Sequence, residues 1–387
     1  MRHPNTDELR PGLGADHAAV APRDLTESLL VDIWESVLGK KPVGITSTFS
    51  GLGGTAPAAS LMVERVEEAC GVPVPRSAPW QSLTIKALSA QLCEANRALL
   101  TLPYRRIVAG EGDGTASRPR RPFFFLHGDF ISGGLYCQNL ARAVGGDHPF
   151  YALPPYPGGS PILDSVEAMA SVHLDTVRRL QTDGPYLLGG FCAGALVAFE
   201  IARRLHAQGE RVERLVLIAP RPWSHPFLRR RLSMGIGRLL GLAPEVELTA
   251  FMRLVDRLDR RNWARHRKNE PHYGSRGTRN PSAKGAPTAE DRRRGQLWRA
   301  YQRANCTYVL REYAGELVVV WPEGEMHRFG YPDGPWRRAA RHVDLRLVPG
   351  EHLTSVTRHV APIAQCVRAC LETVEGAGEE CPDAPYR

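Results

Sequence analysis

Apolar residues recur with two different periods along the chain, and the change of period divides it into two units. Between residues 24 and 95 apolar side chains return every three or four positions, which is typical of amphipathic helices. The first apolar stripe ends at Gly39, a second ends at Gly71, and a third covers residues 83–92. The first stripe is formed by Leu25, Leu29, Ile33 and Val37. These stripes predict a small all-α bundle of three helices.

From residue 122 onward, short apolar runs alternate with helical patterns. Runs of four to six apolar residues bounded by turn residues are typical of buried strands. Strands that alternate with helices predict a parallel sheet covered by helices on both faces, so the fold class is α/β. The predicted strands cover residues 123–126, 149–153, 186–189, 215–218, 317–321 and 343–348, and a helix over 360–371 closes the fold.

Changes in composition set the expected boundaries. Polar segments rich in proline and glycine open the chain and separate the two units, as expected for a disordered lead-in and an exposed linker. A long helix-rich insertion interrupts the late strands, and we expect it to form a lid over the site. The boundaries are 1–23 lead-in, 24–95 helical unit, 96–121 linker, 122–373 α/β domain with a lid at about 221–305, and 374–387 tail.

Charge is concentrated in the predicted lid. The 387-residue chain has a net charge of +9, yet residues 221–305 hold 20 Lys and Arg against 7 Asp and Glu. This segment favours an acidic partner protein, and no nucleic-acid-binding motif accompanies it. No apolar run is long enough to span a membrane, and the N-terminus lacks the apolar segment of a signal peptide. The eight cysteines show neither metal nor disulfide spacing, so we expect a cytoplasmic protein without a metal.

The sequence Gly-Phe-Cys-Ala-Gly at residues 190–194 carries the strongest chemical signal. It follows a predicted strand and opens a predicted helix, which is the context of a nucleophile elbow. Glycines on both sides permit a sharp turn that presents the central side chain at the end of the sheet. We expect Cys192 to be the nucleophile. A buried structural cysteine is the alternative.

A general base and an oxyanion hole are needed beside this nucleophile. The base is expected just after the last strand, where His352 ends a Pro-Gly-Glu-His turn. The backbone N–H of Ala193 should supply one oxyanion donor, and that of Asp129, in the loop after the first strand, the other. His127 in the same loop is expected to be structural. Tyr136 could line the site or belong to the core.

The α/β unit resembles the thioesterase domains that terminate nonribosomal peptide and polyketide synthesis. The resemblance rests on the sequences at 125–128, 190–194, 198–202 and 349–352, and implies an α/β-hydrolase sheet. The family places an aspartate after the strand that follows the elbow, where this chain has Ala219. Glu323, after the next strand, is the expected replacement, with Asp333 as a further candidate. A Cys–His dyad without an acid is the alternative, because a thiol loses its proton more readily than a hydroxyl and depends less on a well-oriented base.

The helical unit resembles the peptidyl or acyl carrier domains of the same assembly lines. The matching sequences are Ile33-Trp34, Val37-Leu38-Gly39 and Leu52-Gly53-Gly54. In that family a serine carries 4′-phosphopantetheine at the position of Ala56, and neither Thr55 nor Ser60 stands in its place. A methyl group cannot form the phosphodiester. The unit is either a degenerate docking domain or one in which alanine replaces a natural serine.

Together these features predict a thioesterase that takes an acyl or peptidyl chain from a carrier protein or an upstream synthetase module. No tightly bound cofactor is expected, and phosphopantetheine enters as the arm of the substrate. Attack by Cys192 exchanges one thioester for another, which favours transfer or cyclisation over hydrolysis alone. An acyltransferase or condensing enzyme and a catalytically decayed carrier-binding protein are the two alternatives.

Overall fold

The helical unit forms as the apolar stripes predict. In the computed structural model, helix α1 covers Leu25–Leu38, α2 covers Ala56–Cys70 and α3 covers Ile85–Ala95. Each helix begins after a residue whose side chain accepts a backbone N–H, and glycines in the left-handed region end α1 and α2. The structure describes residues 19–75, 79–107, 120–145, 148–156, 162–220, 239, 241, 289–326 and 333–376.

Two of the predicted boundaries differ from the structure. Part of the predicted lead-in belongs to the helical unit, because the Val20 carbonyl accepts a hydrogen bond of 2.9 Å from the Ile45 N–H. Part of the predicted linker is a strand, β1 (Arg105–Ile107), which pairs with the sheet. Both segments are too short and too polar for a periodic pattern, so only their long-range pairing identifies them.

Seven strands form one sheet in the order β1-β3-β2-β4-β5-β6-β7. All neighbouring pairs are parallel except β1 with β3, so the predicted parallel sheet is confirmed with an antiparallel edge added. The carboxyl ends of the parallel strands meet at one edge, where the site residues lie. The remaining strands are β2 (Phe123–Leu126), β3 (Phe150–Leu153), β4 (Tyr186–Phe191), β5 (Val212–Ile218), β6 (Tyr313–Pro322) and β7 (Ala340–Val348).

Helices cover both faces of this sheet, as the alternation of patterns predicts. Helices α5 and α6 lie on one face together with Tyr301 and Trp336, and α4 packs with α9 on the other face. Two separate apolar layers therefore flank the strands, and this explains why β2 and β4 are buried along their whole length. These helices are α4 (Cys137–Val144), α5 (Val166–Leu180), α6 (Gly194–Ala207), α7 (Ala289–Thr307), α8 (Gly334–Ala339) and α9 (Val360–Gly376).

Most of the predicted lid lies outside the described residues. Its last part forms α7, whose Tyr301 is buried against the α/β core. Residues 221–288 of the predicted lid lie outside the described residues apart from Leu239 and Gly241, and so does the tail from residue 377. Within the described ranges, no helix is long and apolar enough to cross a membrane.

Candidate active site

The turn between β4 and α6 has the geometry of a nucleophile elbow. Cys192 lies in the left-handed region with φ of 57°, which is rare for a residue with a side chain. Its N–H donates to the Ile218 carbonyl at 2.9 Å, so the strained turn is tied to β5. Cys192 is partly exposed. A strained, partly exposed position is typical of a nucleophile elbow, and the Cys192 side chain also packs against the apolar layer beside it.

Close backbone packing explains the glycines around this turn. A Cβ on Gly190 would lie 2.7 Å from the Gly194 carbonyl oxygen. A Cβ on Gly128, at the end of β2, would lie 2.7 Å from the Phe191 carbonyl oxygen. The loop after β2 thus lies directly against the elbow, which places the segment around residue 128 beside Cys192.

His352 lies at this same edge, 160 positions after Cys192 in the chain. Its imidazole stacks on the Phe191 ring with centroids 4.8 Å apart and an angle of 26° between the planes. Because Phe191 directly precedes Cys192, this contact brings the predicted base to the elbow. The Ser355 hydroxyl donates to the His352 carbonyl at 3.0 Å and fixes the turn that carries the ring.

Glu325, two residues after the expected Glu323, contacts the backbone of the His352 turn. The Glu325 carboxylate is buried and accepts the backbone N–H of His352 at 3.3 Å. Glu323 begins the same short 3-10 turn but is exposed. Asp333 directly precedes α8 and pairs with Arg337. Spacing alone could not separate two glutamates two residues apart on one turn.

Position 219, where the resembled family has an aspartate, has a strained backbone but no carboxylate. Ala219 follows β5, is fully buried and has a φ of 44°. Asparagine and aspartate tolerate this left-handed region better than alanine does. The strained backbone is therefore present where the resemblance expected an aspartate, although a methyl group can accept no proton.

The loop after β2 is organised by the Asp129 side chain. This buried carboxylate accepts N–H groups from Ile131, Ser132 and Gly134 at 2.9 to 3.1 Å, and it also accepts the Ser132 hydroxyl. The Asp129 N–H itself donates to His127 Nδ1 at 3.1 Å. This expected oxyanion donor is therefore already engaged within its own loop.

His127 and Tyr136 are structural parts of this loop. Burial lowers the pKa of His127 to about 4, so its ring is neutral at neutral pH and can accept the Asp129 N–H. The Tyr136 hydroxyl donates to the His127 carbonyl at 2.8 Å, and the ring is fully buried. Tyr136 therefore belongs to the core, where it makes an edge-on contact with Phe191.

Ala193 is the second expected oxyanion donor, and it lies at the N-terminus of α6. No carbonyl of the preceding turn is available to N–H groups at this end of a helix. The helix dipole also favours negative charge there. The position is thus suited to an oxyanion and to a thiolate on the neighbouring Cys192.

Three aromatic side chains that sequence patterns did not single out lie near the elbow. Phe130 and Tyr301 have ring centroids 4.1 Å apart, and Tyr156 lies 5.9 Å from Phe130. Burial raises the pKa of Tyr301 well above its ordinary value, and the negative charge of a Cys192 thiolate raises it further. The Tyr301 hydroxyl therefore lies within electrostatic range of Cys192.

A family model described as a thioesterase domain matches residues 121–370. The chain belongs to this thioesterase family. The match covers the whole sheet except β1, together with the elbow, the loop after β2 and the His352 turn. The α/β-hydrolase sheet expected from the sequence is therefore confirmed.

Relatives of this thioesterase include parts of large synthases. Chondramide synthase cmdD of Chondromyces crocatus is 33% identical over 210 residues, which cover 52% of this chain and 5% of that protein. Indigoidine synthase of Dickeya dadantii is 31% identical over 207 residues, which cover 52% of this chain and 13% of that protein. The chain thus spans only a small part of these relatives.

Among solved structures, the NocB thioesterase domain in covalent complex with a fluorophosphonate nocardicin G analog is similar to this chain. It has a TM-score of 0.44 and 18% identity, over 69% of this chain and 99% of that one. The Vlm2 thioesterase domain with a bound dodecadepsipeptide has a TM-score of 0.46 and 19% identity, over 69% and 97% of the two chains.

Proposed function

We propose that this thioesterase accepts an acyl or peptidyl chain from a phosphopantetheine thioester and holds it as a thioester on Cys192. The observation that supports this most directly is the stacking of His352 on Phe191, 4.8 Å between centroids, beside a strained cysteine elbow. This contact supports a site in which a nucleophile and a base from distant parts of the chain act together at the carboxyl edge of the sheet.

In the first half of the reaction, Cys192 Sγ attacks the thioester carbonyl carbon and His352 takes the thiol proton. The tetrahedral oxyanion accepts the Ala193 N–H at the N-terminus of α6. Asp129 serves as the second donor once its backbone N–H leaves His127 Nδ1 and donates to the oxyanion instead. The C–S bond to pantetheine then breaks, and His352 returns the proton to the leaving thiolate.

In the second half, an acceptor attacks the acyl carbon on Cys192. Water, an amine or a hydroxyl of the chain itself can fill this role, and His352 takes the proton of the acceptor. Collapse of the intermediate releases Sγ, which recovers the proton from His352. Glu325 acts as a positioning residue here, because its carboxylate holds the backbone of the residue that moves the proton.

The cysteine nucleophile favours acyl transfer or cyclisation. Exchange of one thioester for another changes the free energy little, so the acyl group stays activated until an acceptor arrives. A serine ester would be a poorer donor to an amine. Cys192→Ser should therefore retain hydrolysis better than aminolysis, and equal product ratios for both enzymes would remove this part of the proposal.

The acyl chain arrives on a carrier other than the helical unit of this chain. Ala56 is the exposed first residue of α2, and its methyl group cannot be esterified to phosphopantetheine. The excess of positive charge in residues 221–305 suits docking of an acidic carrier protein. Turnover with a loaded carrier should fall with added salt, while turnover of a small thioester should change little.

The experiment that tests the function is product analysis with an acyl-pantetheine thioester, with and without an amine acceptor. Release of pantetheine thiol together with free acid or amide supports the proposal, and the product separates hydrolysis from transfer. Cys192→Ala should abolish release. Cys366→Ser, at another partly exposed cysteine, is the matched control and should leave the rate unchanged.

A second candidate function is non-catalytic binding of a carrier domain. Alanine at both Ala56 and Ala219, where the two resembled families have reactive side chains, is the observation that favours it. Under this alternative, the protein binds a loaded carrier but releases no thiol above the rate of the Cys192→Ala variant.

A further inference from the structure

The helical unit contacts the turn that carries His352. The Ser28 hydroxyl of α1 lies 2.9 Å from the Thr357 hydroxyl. The Arg358 guanidinium donates to Asp32 at 2.7 Å and to Glu35 at 2.6 Å, both on α1. Asp32 and Glu35 are 15% and 5% exposed in their side chains and Arg358 is 37% exposed, so the two carboxylates are better shielded from water than the guanidinium.

Three hydrogen bonds hold together the segment that contains both His352 and Arg358. The Ser355 N–H donates to Glu351 at 2.8 Å, and the His359 N–H donates to Thr354 at 2.8 Å. The Thr357 hydroxyl also donates to the Leu353 carbonyl at 3.3 Å. Residues 351–359 therefore form one compact turn, with His352 near one end and Arg358 near the other.

The helical unit also holds the loop after β2. Leu135, at the end of this loop, is fully buried in the apolar core of the helical unit and not in that of the α/β domain. Gly133 lies so close to Leu99 and Leu100 that an added Cβ would be 3.3 Å from the Leu100 nitrogen. Conversely, Leu25 of α1 belongs to the α/β core. The two units share side chains at the loop that would supply an oxyanion donor.

The end of α2 that contacts the α/β domain is opposite to Ala56. Arg105 of β1 donates to the Cys70 and Gly71 carbonyls at 3.0 and 3.3 Å, and it therefore satisfies the exposed C-terminus of α2. Arg142 of α4 donates to the Glu68 carbonyl at 3.1 Å. Ala56 lies 14 residues from Cys70, or about 21 Å along the helix. The attached end is thus not the end that would deliver a substrate arm.

We propose that the helical unit is a positioning domain of the thioesterase, and that Arg358 is the positioning residue through which α1 holds the His352 turn. The proposal rests on the proposed function, since it assigns the unit a part in the proton transfers of His352. The unit acts without a phosphopantetheine arm, which accounts for alanine at position 56.

Loss of Arg358 alone would leave the buried Glu35 and the half-buried Asp32 of α1 without their cation. Burial already raises the pKa of Asp32, and the Arg358 charge opposes this effect. The single variant Arg358→Met therefore carries a folding penalty besides any effect on His352. The variant that combines Arg358→Met with Asp32→Asn and Glu35→Gln removes the ion pairs without leaving an unpaired charge, and Arg358→Lys keeps the charge.

The matched control is Arg142→Met. Arg142 joins the same two units through Glu68 on α2, but it contacts neither the His352 turn nor the loop after β2. Both substitutions loosen the interface between the units. Only the Arg358 variants act on the position of His352.

The test compares steady-state turnover of a small acyl-pantetheine thioester by these variants at matched folded fraction, checked by thermal unfolding. The triple variant should lower kcat about tenfold or more with little change in KM, because a misplaced base slows proton transfer without removing substrate contacts. Arg358→Lys should recover most of the loss, and Arg142→Met should keep the wild-type kcat.

Equal kcat values for the triple variant and Arg142→Met would overturn the proposal while the proposed function stands. A decrease in both variants that follows only their loss of stability would overturn it as well. Absence of thiol release by the wild-type protein itself would instead refute the proposed function, so the two failures are distinguishable.

Discussion

The Phe191 ring and the His352 imidazole stack with their centroids 4.8 Å apart. This contact links the last residue of β4 to a turn that follows β7, and it sets the plane of the imidazole. A stacked aromatic contact of this kind stabilises by about 1 kcal/mol beyond the area buried. The residue next to the nucleophile therefore helps to orient the proposed base.

We expect Phe191→Leu to lower kcat about tenfold with a small change in KM. Leucine keeps most of the apolar volume, but it offers no aromatic face to His352, so the ring loses its preferred plane. Phe125→Leu is the matched control, since Phe125 is buried in the same apolar layer and contacts other rings at a tilted angle. Steady-state kinetics of both variants checks this, and equal kcat values would contradict the role of the stacking.

Glu325→Gln should lower kcat about tenfold, whereas Glu323→Gln should leave it unchanged. The buried Glu325 carboxylate accepts the backbone N–H of His352. Its negative charge also favours a cationic imidazole during proton transfer. Glu323 is exposed and its charge is screened by water. A decrease of kcat confined to Glu323→Gln would support Glu323 as the acid, as the sequence predicts. An unchanged kcat in both variants would favour a Cys–His dyad.

Gly128→Ala should destabilise the protein by about 2 to 4 kcal/mol and abolish activity. The added methyl would lie 2.7 Å from the Phe191 carbonyl oxygen at a residue with φ of 64°. Gly209→Ala is the control, because Gly209 has φ of 82° with no heavy atom within 4 Å of the added methyl. It should cost only about 1 to 2 kcal/mol for the backbone. Urea unfolding of both variants measures the difference.

Stability should fall as the pH is lowered from about 6.5 to about 4. Burial lowers the pKa of both His127 and His173 to about 4, so the unfolded chain binds protons in this range that the folded chain does not. Each ring contributes on the order of 3 kcal/mol across the window. Urea unfolding at pH 5 and 7.5 checks this.

Asp24 titrates in the opposite sense and must be removed from this comparison. Burial raises its pKa to about 7, so the folded carboxyl binds a proton between about 4 and 7 and favours folding at the lower pH. Asp24→Asn keeps an acceptor for the Glu27 N–H and provides the background. In that background, His173→Phe should lose about half as much unfolding free energy between pH 7.5 and 5. An unchanged dependence of this free energy on pH would contradict the assignment.

The sequence predicts the elements that have a clear apolar period and the residues that occupy a fixed place in a motif. Helices α1 to α3 and strands β2 to β7 have such periods, and their presence is confirmed. Strand β1 has three residues, two of them arginine, so only pairing with β3 defines it. Glu325 differs from Glu323 only in burial, which depends on how the turn after β6 packs against the His352 turn.

Sequence patterns could not predict the contacts between the helical unit and the α/β domain. Arg358 follows the histidine motif by six residues and looks like an ordinary surface cation. Its partners Asp32 and Glu35 lie more than 320 positions earlier, on a helix whose stripe indicates only that it is amphipathic. Such pairs are defined by tertiary packing, and single-sequence periodicity contains no information about them.

The most direct test of the account is the mass of the protein trapped during turnover, followed by mapping of the modified peptide. The protein is mixed with an acyl-pantetheine thioester and quenched in acid within the first turnover. We predict one acyl group per chain on the peptide that contains Cys192, with its formation slowed at least a hundredfold in His352→Ala. An acyl group on another residue, or normal turnover by Cys192→Ala, would contradict the account.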